Sequence, residues 1–240
     1  MKIANFVYGQ FRQLDIAVKS WNFLHEIDCD TYVSTWDKSI QYSHYLNIFD
    51  EFDVTEEMIY NLLPNSTISI INEYEYDIQN YGDYQPRCYV RNSKKTYFHW
   101  KNCLRMLKNS GKKYDLIMLN RTDNYFFSQK PYEEYFNIED KKNIFKHSTD
   151  NRGIFLSENN NYTVNDLFFI GDFDLMSNII ENVPKIEKLL HDDFAKYLMS
   201  INVEVKTLKN LEISTLRPNI KNFDGELTPE NILKIAKTWA

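Results

Sequence analysis

The apolar positions of the chain change period several times, and each change marks an element. Lys2 to Val7 ("KIANFV") is a short β-type run, predicted as a first strand. After Gly9 the apolar residues Leu14, Val18, Trp21, Leu24 and Ile27 recur every three or four positions, which predicts one amphipathic helix. Cys29 to Trp36 ("CDTYVSTW") is again β-rich. Strand, helix and strand in that order predict a crossover that returns the chain parallel to its start.

Further along, Asp53 to Leu63 reads as a short helix, with Asp53 as cap, Glu56 three residues on and Pro64 after its end. Thr67 to Asn72 reads as a third strand. Glu73 to Arg87 is acidic, tyrosine-rich and without period, so a long surface loop is expected there. From about Ser93 a helical stripe of Tyr97, Trp100, Leu104 and Leu107 runs to Gly111, a residue suited to the left-handed turn after a helix. Leu116 to Leu119 is an apolar run of the kind buried on both faces of a parallel sheet.

Two short apolar runs follow, Gly153 to Ser157 and Asp166 to Gly171. A helix is expected from Pro184 to Ile201, a late strand from Val203 to Leu208 and a last helix from Glu226 to Trp239, capped by Thr228 with Pro229 first. No repeat or linker interrupts this order, which predicts a single domain over residues 1–240, of α/β class, with a mostly parallel sheet flanked by helices.

Composition narrows the function. With 43% hydrophobic and 15% aromatic residues the chain is globular. A net charge of -6 gives no general attraction to nucleic acid or anionic lipid, so no nucleic-acid partner is expected. Cys29, Cys88 and Cys103 form no C-x-x-C pair, and no apolar run reaches membrane-spanning length. The opening residues lack a signal peptide's apolar core, so a cytoplasmic location is expected, with the sequons at Asn65, Asn120 and Asn161 unmodified. There is no P-loop, no G-x-G-x-x-G and no G-x-S-x-G, which argues against a P-loop kinase, a dinucleotide oxidoreductase and an α/β-hydrolase.

Chemistry-bearing residues gather where strands end, the edge at which open α/β sheets bind ligands. The first strand runs into Gly9, Gln10 and Arg12, where glycine admits close approach and arginine offers a planar fork. The second ends in Thr35, Trp36 and Asp37: a hydroxyl, a flat ring and an acceptor. The fourth stops at Asn120, Arg121, Thr122 and Asp123, and a carboxylate directly after a core strand is costly unless solvated, paired or metal-bound. Each has a plainer reading too: a turn for Gly9, a solvated first-turn residue for Arg12, a helix cap for Asp37. Asn92 to Lys95 ("NSKK"), with Arg87 and Arg91 just before it, is the strongest basic cluster, at an expected helix start where cations oppose the dipole; a bound anion near Arg91 and Lys95 would resolve that misfit.

The segments "GQFR", "VSTWD", "YDLIMLNRTDNYFF" and "NDLFFIG" together resemble a small GT-A-type glycosyltransferase of bacterial or phage polysaccharide loci, over about residues 1–200 by element order. The resemblance implies a GT-A-like sheet that binds a nucleoside-diphosphate sugar, a UDP-sugar being expected, and a glycan or saccharide acceptor. It implies that Gly9, Gln10, Arg12, Thr35, Trp36 and Asp37 frame the nucleotide, with Arg121 and Thr122 near the diphosphate. It also implies a Mn²⁺ or Mg²⁺ ion held by an acidic D-x-D motif. Here Arg121 stands at the first Asp of that motif and leaves Asp123 as the metal ligand. Asp166, before the run "LFFIG", is the candidate base for the acceptor hydroxyl, and Gly171 at its end is expected to give the acceptor close access to backbone. Two alternatives are carried: a non-catalytic nucleotide-sugar-binding or carbohydrate-binding module, suggested by the missing Asp, and a nucleotidyltransferase, whose usual glycine-rich first loop is reduced here to Gly9.

Overall fold

A computed structural model describes residues 1–43, 48–85, 89–127, 144–150, 168–183, 190–216 and 225–237. β1 (Lys2–Gly9) leads through a one-turn helix α1 (Leu14–Ala17) into β2 (Asp28–Trp36). A hairpin of β3 (Lys38–Ser43) and β4 (Ile48–Asp53) precedes α2 (Glu56–Leu62) and β5 (Thr67–Ile71). Helices α3 (Glu73–Tyr81) and α4 (Tyr89–Ser110) lead to β6 (Leu116–Arg121) and the short β7 (Asn124–Phe126). β8 (Ile144–Asp150), β9 (Phe168–Asp172), α5 (Phe173–Asn182), α6 (Leu190–Ser200), β10 (Glu204–Thr215) and α7 (Pro229–Lys237) complete the described elements.

The main sheet has the order β5-β2-β1-β6-β9-β8-β10-β7. β5, β2, β1 and β6 run parallel to one another, and β10 runs parallel to β8. β9 is antiparallel to both β6 and β8, and β7 is antiparallel to β10. The expected mostly parallel α/β sheet is therefore present.

Side-chain alternation explains why the sheet is buried on both faces. On β1 and β6, Ile3, Val7, Leu116 and Met118 point to one core, with Leu14, Trp21, Ile59 and Ile232 from the covering segments. Ala4, Phe6, Tyr8, Ile117 and Leu119 point to the other, against Trp100, Leu104 and Leu107 of α4 and Ile179 of α5. Trp100 is fully buried and packs edge-on against Tyr8 and Phe169, each with ring centroids 5.6 Å apart. Burying one such ring stabilises the fold by about 2–3 kcal/mol.

Several expected elements differ. The single helix over Leu14 to Ile27 is one α turn followed by two 3-10 turns, Val18–Ser20 and Asn22–His25. Gln13 enters at φ 45 with no side-chain cap, and Trp21 leaves helical geometry at φ -95, ψ 24. The indole of Trp21 is instead fastened to the sheet, with Nε1 donating to Asn124 O at 2.8 Å. Leu14 and Trp21 are buried and Val18, Leu24 and Ile27 partly so, but a tertiary anchor has replaced helical continuity. Asp53 does not cap α2; it ends β4, and Thr55 Oγ1 accepts from Met58 N at 3.2 Å.

The expected loop from Glu73 contains α3, capped by Asn72 Oδ1 accepting from Glu75 N at 2.8 Å and ended by Gly82 at φ 82. α4 begins at Tyr89, four residues before the expected start. In α7, Thr228 caps as expected, its Oγ1 accepting from Asn231 N at 3.3 Å. The run Gly153 to Ser157 and the segment 184–189 lie outside the described residues.

Candidate functional site

The register of the parallel strands brings their carboxyl ends to one edge: Gly9 pairs with Thr35, Tyr8 with Arg121, and Trp36 with Ile71. At the end of β1 the backbone takes φ 103 at Gly9, a conformation that side-chain-bearing residues rarely adopt. Thr35 Oγ1 donates to Gly9 O at 2.8 Å. The turn then folds on itself: Arg12 N donates to Gln10 O at 2.7 Å, and Arg12 Nε and Nη2 both donate to Gln10 Oε1, the former at 2.7 Å.

The polar end of β6 meets this turn. Thr122 N donates to Tyr8 O at 3.3 Å, and its hydroxyl donates to Gln10 O. Asn120, wholly buried, accepts at Oδ1 from Asn124 Nδ2 at 2.8 Å. Arg121 turns its fork onto Asp123, with Nε to Oδ1 and Nη2 to Oδ2, both at 2.9 Å. The Asp123 side chain is 3% exposed and that of Arg121 24%. Four polar residues in a row thus divide the work: an amide pair, a charge pair and a hydroxyl tie.

Arg12 stands close enough to feel these charges. Burial lowers its pKa from the usual arginine value, Asp123 raises it, Arg121 lowers it and Glu73 raises it. Gly9, Gln10, Arg12, Thr35, Arg121, Thr122 and Asp123 are therefore brought to one place at the sheet edge.

Trp36 and Asp37 end the neighbouring strand but are already engaged. Trp36 is 2% exposed, stacks on Phe98 at 5.7 Å and 7°, and meets Tyr76 at 5.2 Å and His99 at 4.3 Å. The flat face expected for a base is occupied by protein. Asp37 Oδ1 accepts from Glu73 N at 3.0 Å, so this carboxylate serves the start of α3.

Arg91 and Lys95 lie within α4 and face acids from the segment read as a loop. Lys95 Nζ reaches Glu73 Oε1 at 2.7 Å and the Asp77 carboxylate at 2.9 Å, all three side chains being almost fully buried. Burial raises the Glu73 pKa and the Lys95 ammonium opposes that rise. Arg91 donates to Asp83 Oδ1 at 2.6 Å and to Asp83 O at 3.0 Å. The misfit of cations near this helix start is met by the protein's own carboxylates.

His99 lies on α4. It is fully buried, its Nδ1 is 2.8 Å from Ser34 Oγ, and desolvation with Lys95 nearby lowers its pKa to about 3. No sequence signal marks it beyond its place on the apolar face of α4.

Asp166 lies outside the described residues. β9, which follows it, starts at the working edge, where Phe168 pairs with Asn120. Gly171, expected to give an acceptor access to backbone, pairs with Ile117 toward the opposite edge and is buried. The antiparallel direction of β9 overturns that expectation.

The described residues around Asp123 do not offer a divalent ion a ligand set of their own. Such hard cations take several oxygen ligands. Among the described residues no three His, Cys, Asp or Glu side chains stand together to hold one. Asp123 presents both carboxylate oxygens to Arg121.

No protein-family model matches the chain, and no curated protein matches it. Among solved structures, a galactosyltransferase, LgtC, in complex with donor and acceptor sugar analogs is similar at TM-score 0.54 and 11% identity, covering 98% of this chain and 95% of that one. The chain has a GT-A-type fold. HddC from Yersinia pseudotuberculosis is similar at TM-score 0.48 and 11% identity over 100% of both chains. The inositol-1-phosphate CTP transferase from T. maritima is similar at TM-score 0.48 and 11% identity, over 98% of this chain and 96% of that one. Within this GT-A-type fold the Gly9 turn and the Arg121–Asp123 turn lie side by side at the carboxyl edge of the central strands. Among the described residues no helix is long and apolar enough to cross a membrane.

Proposed function

We propose that this chain is a glycosyltransferase that takes a sugar from a nucleoside-diphosphate donor, a UDP-sugar in the first instance, and passes it to a saccharide acceptor. The observation that carries the reading is the union of the Gly9–Arg12 turn with Arg121, Thr122 and Asp123, tied by Thr122 to Tyr8 O and Gln10 O. Two guanidiniums against one carboxylate suit a ligand rich in phosphate oxygens, because arginine forks match phosphate geometry.

The chemistry follows from charge. The bond from the anomeric carbon to the diphosphate oxygen breaks, and its electron pair stays on the leaving diphosphate. Cationic groups fixed where that charge appears lower the barrier without reorganising. Arg12 and Arg121 are assigned that role. The acceptor oxygen forms the new bond to the anomeric carbon and gives its proton to a base. Asp166 is retained as the candidate base on sequence grounds alone.

The test is a thermal-shift and calorimetry panel of UDP, GDP, CDP and ADP, followed by hydrolysis of the matching donor sugar. Stabilisation by one nucleotide together with slow donor hydrolysis is expected. Binding without any turnover would favour the non-catalytic module. Release of pyrophosphate from a nucleoside triphosphate and a sugar phosphate would favour a nucleotidyltransferase. No binding by any nucleotide would end the reading.

A further inference from the structure

We infer that the donor diphosphate is held by the guanidiniums of Arg12 and Arg121 without a divalent ion, and that Asp123 is a positioning residue which aims Arg121. This rests on the glycosyltransferase reading of the same site. Three observations carry it. The first is the side-on fork: both Asp123 oxygens accept from Arg121 at 2.9 Å, so a cation there would have to displace an arginine or crowd against it. The second is ligand count, since among the described residues Asp123 belongs to no group of three or more His, Cys, Asp or Glu side chains that could hold an ion. The third is where Arg12 stands. Its guanidinium is held in place by Gln10 Oε1, and it experiences Arg121 as a like charge and Asp123 as an opposite one. A dication would meet two positive groups and one neutralised carboxylate, whereas a diphosphate would meet two donors in fork geometry.

The exposures agree with a division of labour. Asp123 is sealed while Arg121 is partly open to solvent, so the carboxylate faces inward and the cation outward. Thr122 between them is locked to the β1 turn, which fixes the direction from which both arginines approach a ligand.

The experiment measures binding of UDP, GDP, CDP and ADP, with inorganic pyrophosphate as a base-free probe, by titration calorimetry in EDTA and again in Mn²⁺. Electron paramagnetic resonance reports bound Mn²⁺ alongside. The expected result is an affinity that changes by less than about threefold between EDTA and Mn²⁺, with no stoichiometric Mn²⁺. Arg12→Met and Arg121→Met should each weaken it by about tenfold or more. Arg121→Lys, which keeps the charge but loses the fork, guards against misfolding and should fall between wild type and Arg121→Met. Asp123→Asn, whose amide oxygen can still accept from Arg121, should retain most of the affinity that Asp123→Ala loses.

Binding that appears only with Mn²⁺, or stoichiometric Mn²⁺ lost in Asp123→Asn, would overturn the inference and leave the glycosyltransferase reading standing. Absence of binding in both buffers would remove that reading and the inference together.

Discussion

Two ionic clusters border the same edge of the sheet, and they are built for opposite ends. Lys95, Glu73 and Asp77 form a sealed triad with side chains at most 3% exposed. Arg121 and Asp123 pair an inner carboxylate with a cation that is 24% exposed. The triad bridges α3 and α4 within the protein; its worth lies in neutralising charge that the fold has already buried. The pair holds one charge inside so that the other can face outward. Burial of both partners makes a brace, whereas burial of one makes a presented group.

The largest effect that can break this contrast is expected from Lys95→Met. It strands two carboxylates in the interior and should cost about 3–5 kcal/mol in urea-unfolding stability. A loss no greater than that of Arg121→Met would refute the distinction. Arg121→Met should cost less, about 1–3 kcal/mol, because water can reach the space its head vacates. Equal losses would mean that the pair is as closed as the triad.

His99 sharpens the picture through pH. Its folded pKa, about 3, lies below the ordinary value of 6.5 because the ring is desolvated and Lys95 is near. Between those values the unfolded chain binds a proton that the folded chain refuses. Stability should therefore fall as pH drops below 6.5, by up to about 1.4 kcal/mol per unit from this group. His99→Asn should flatten that slope in acid melting curves. Lys95→Met should raise the His99 pKa, read by NMR titration.

The smallest effect is expected at Asp30, in a third, open cluster. Burial raises its pKa, but hydrogen bonds from Tyr114, Lys2 and Lys112 overcome this and bring it to about 2. The stability it gives is present above the unfolded value of 3.8 and is lost as pH falls toward 2. Because the group is partly exposed and its partners Lys2 and Lys112 reach solvent, Asp30→Asn should cost less than about 1 kcal/mol. A loss matching that of Lys95→Met would show that exposure is not what separates these clusters.

The central strands were legible because their period and their polar stops are local features. Leu116 to Leu119 reads as a two-faced strand, and the residues after it read as an edge. Gly9, Arg12, Arg121 and Asp123 were placed together by the rule that strand ends share an edge, and the register does bring those ends side by side. What escaped were partners distant in sequence. Glu73 and Asp77 looked like solvated loop acids because Lys95, which allows their burial, lies 22 and 18 positions further on. The same blindness made Arg91 and Lys95 look like cations awaiting an anion. Trp36 looked like a platform because its cover, Phe98 and Tyr76, comes from helices whose packing no local pattern announces. The broken helix after Gly9 has the same cause, since the indole of Trp21 answers to Asn124 across the fold.

The two bonds made by Thr122 have a practical consequence for anyone redesigning this edge of the sheet. Because residue 122 grips the carbonyls of both Tyr8 and Gln10, the two loops form a single transplantable cassette rather than two independent inserts. A library that diversifies residues 9–13 alone would be screened against a clasp cut for the parental shape, so co-varying position 122 is the economical way to recruit a different ligand.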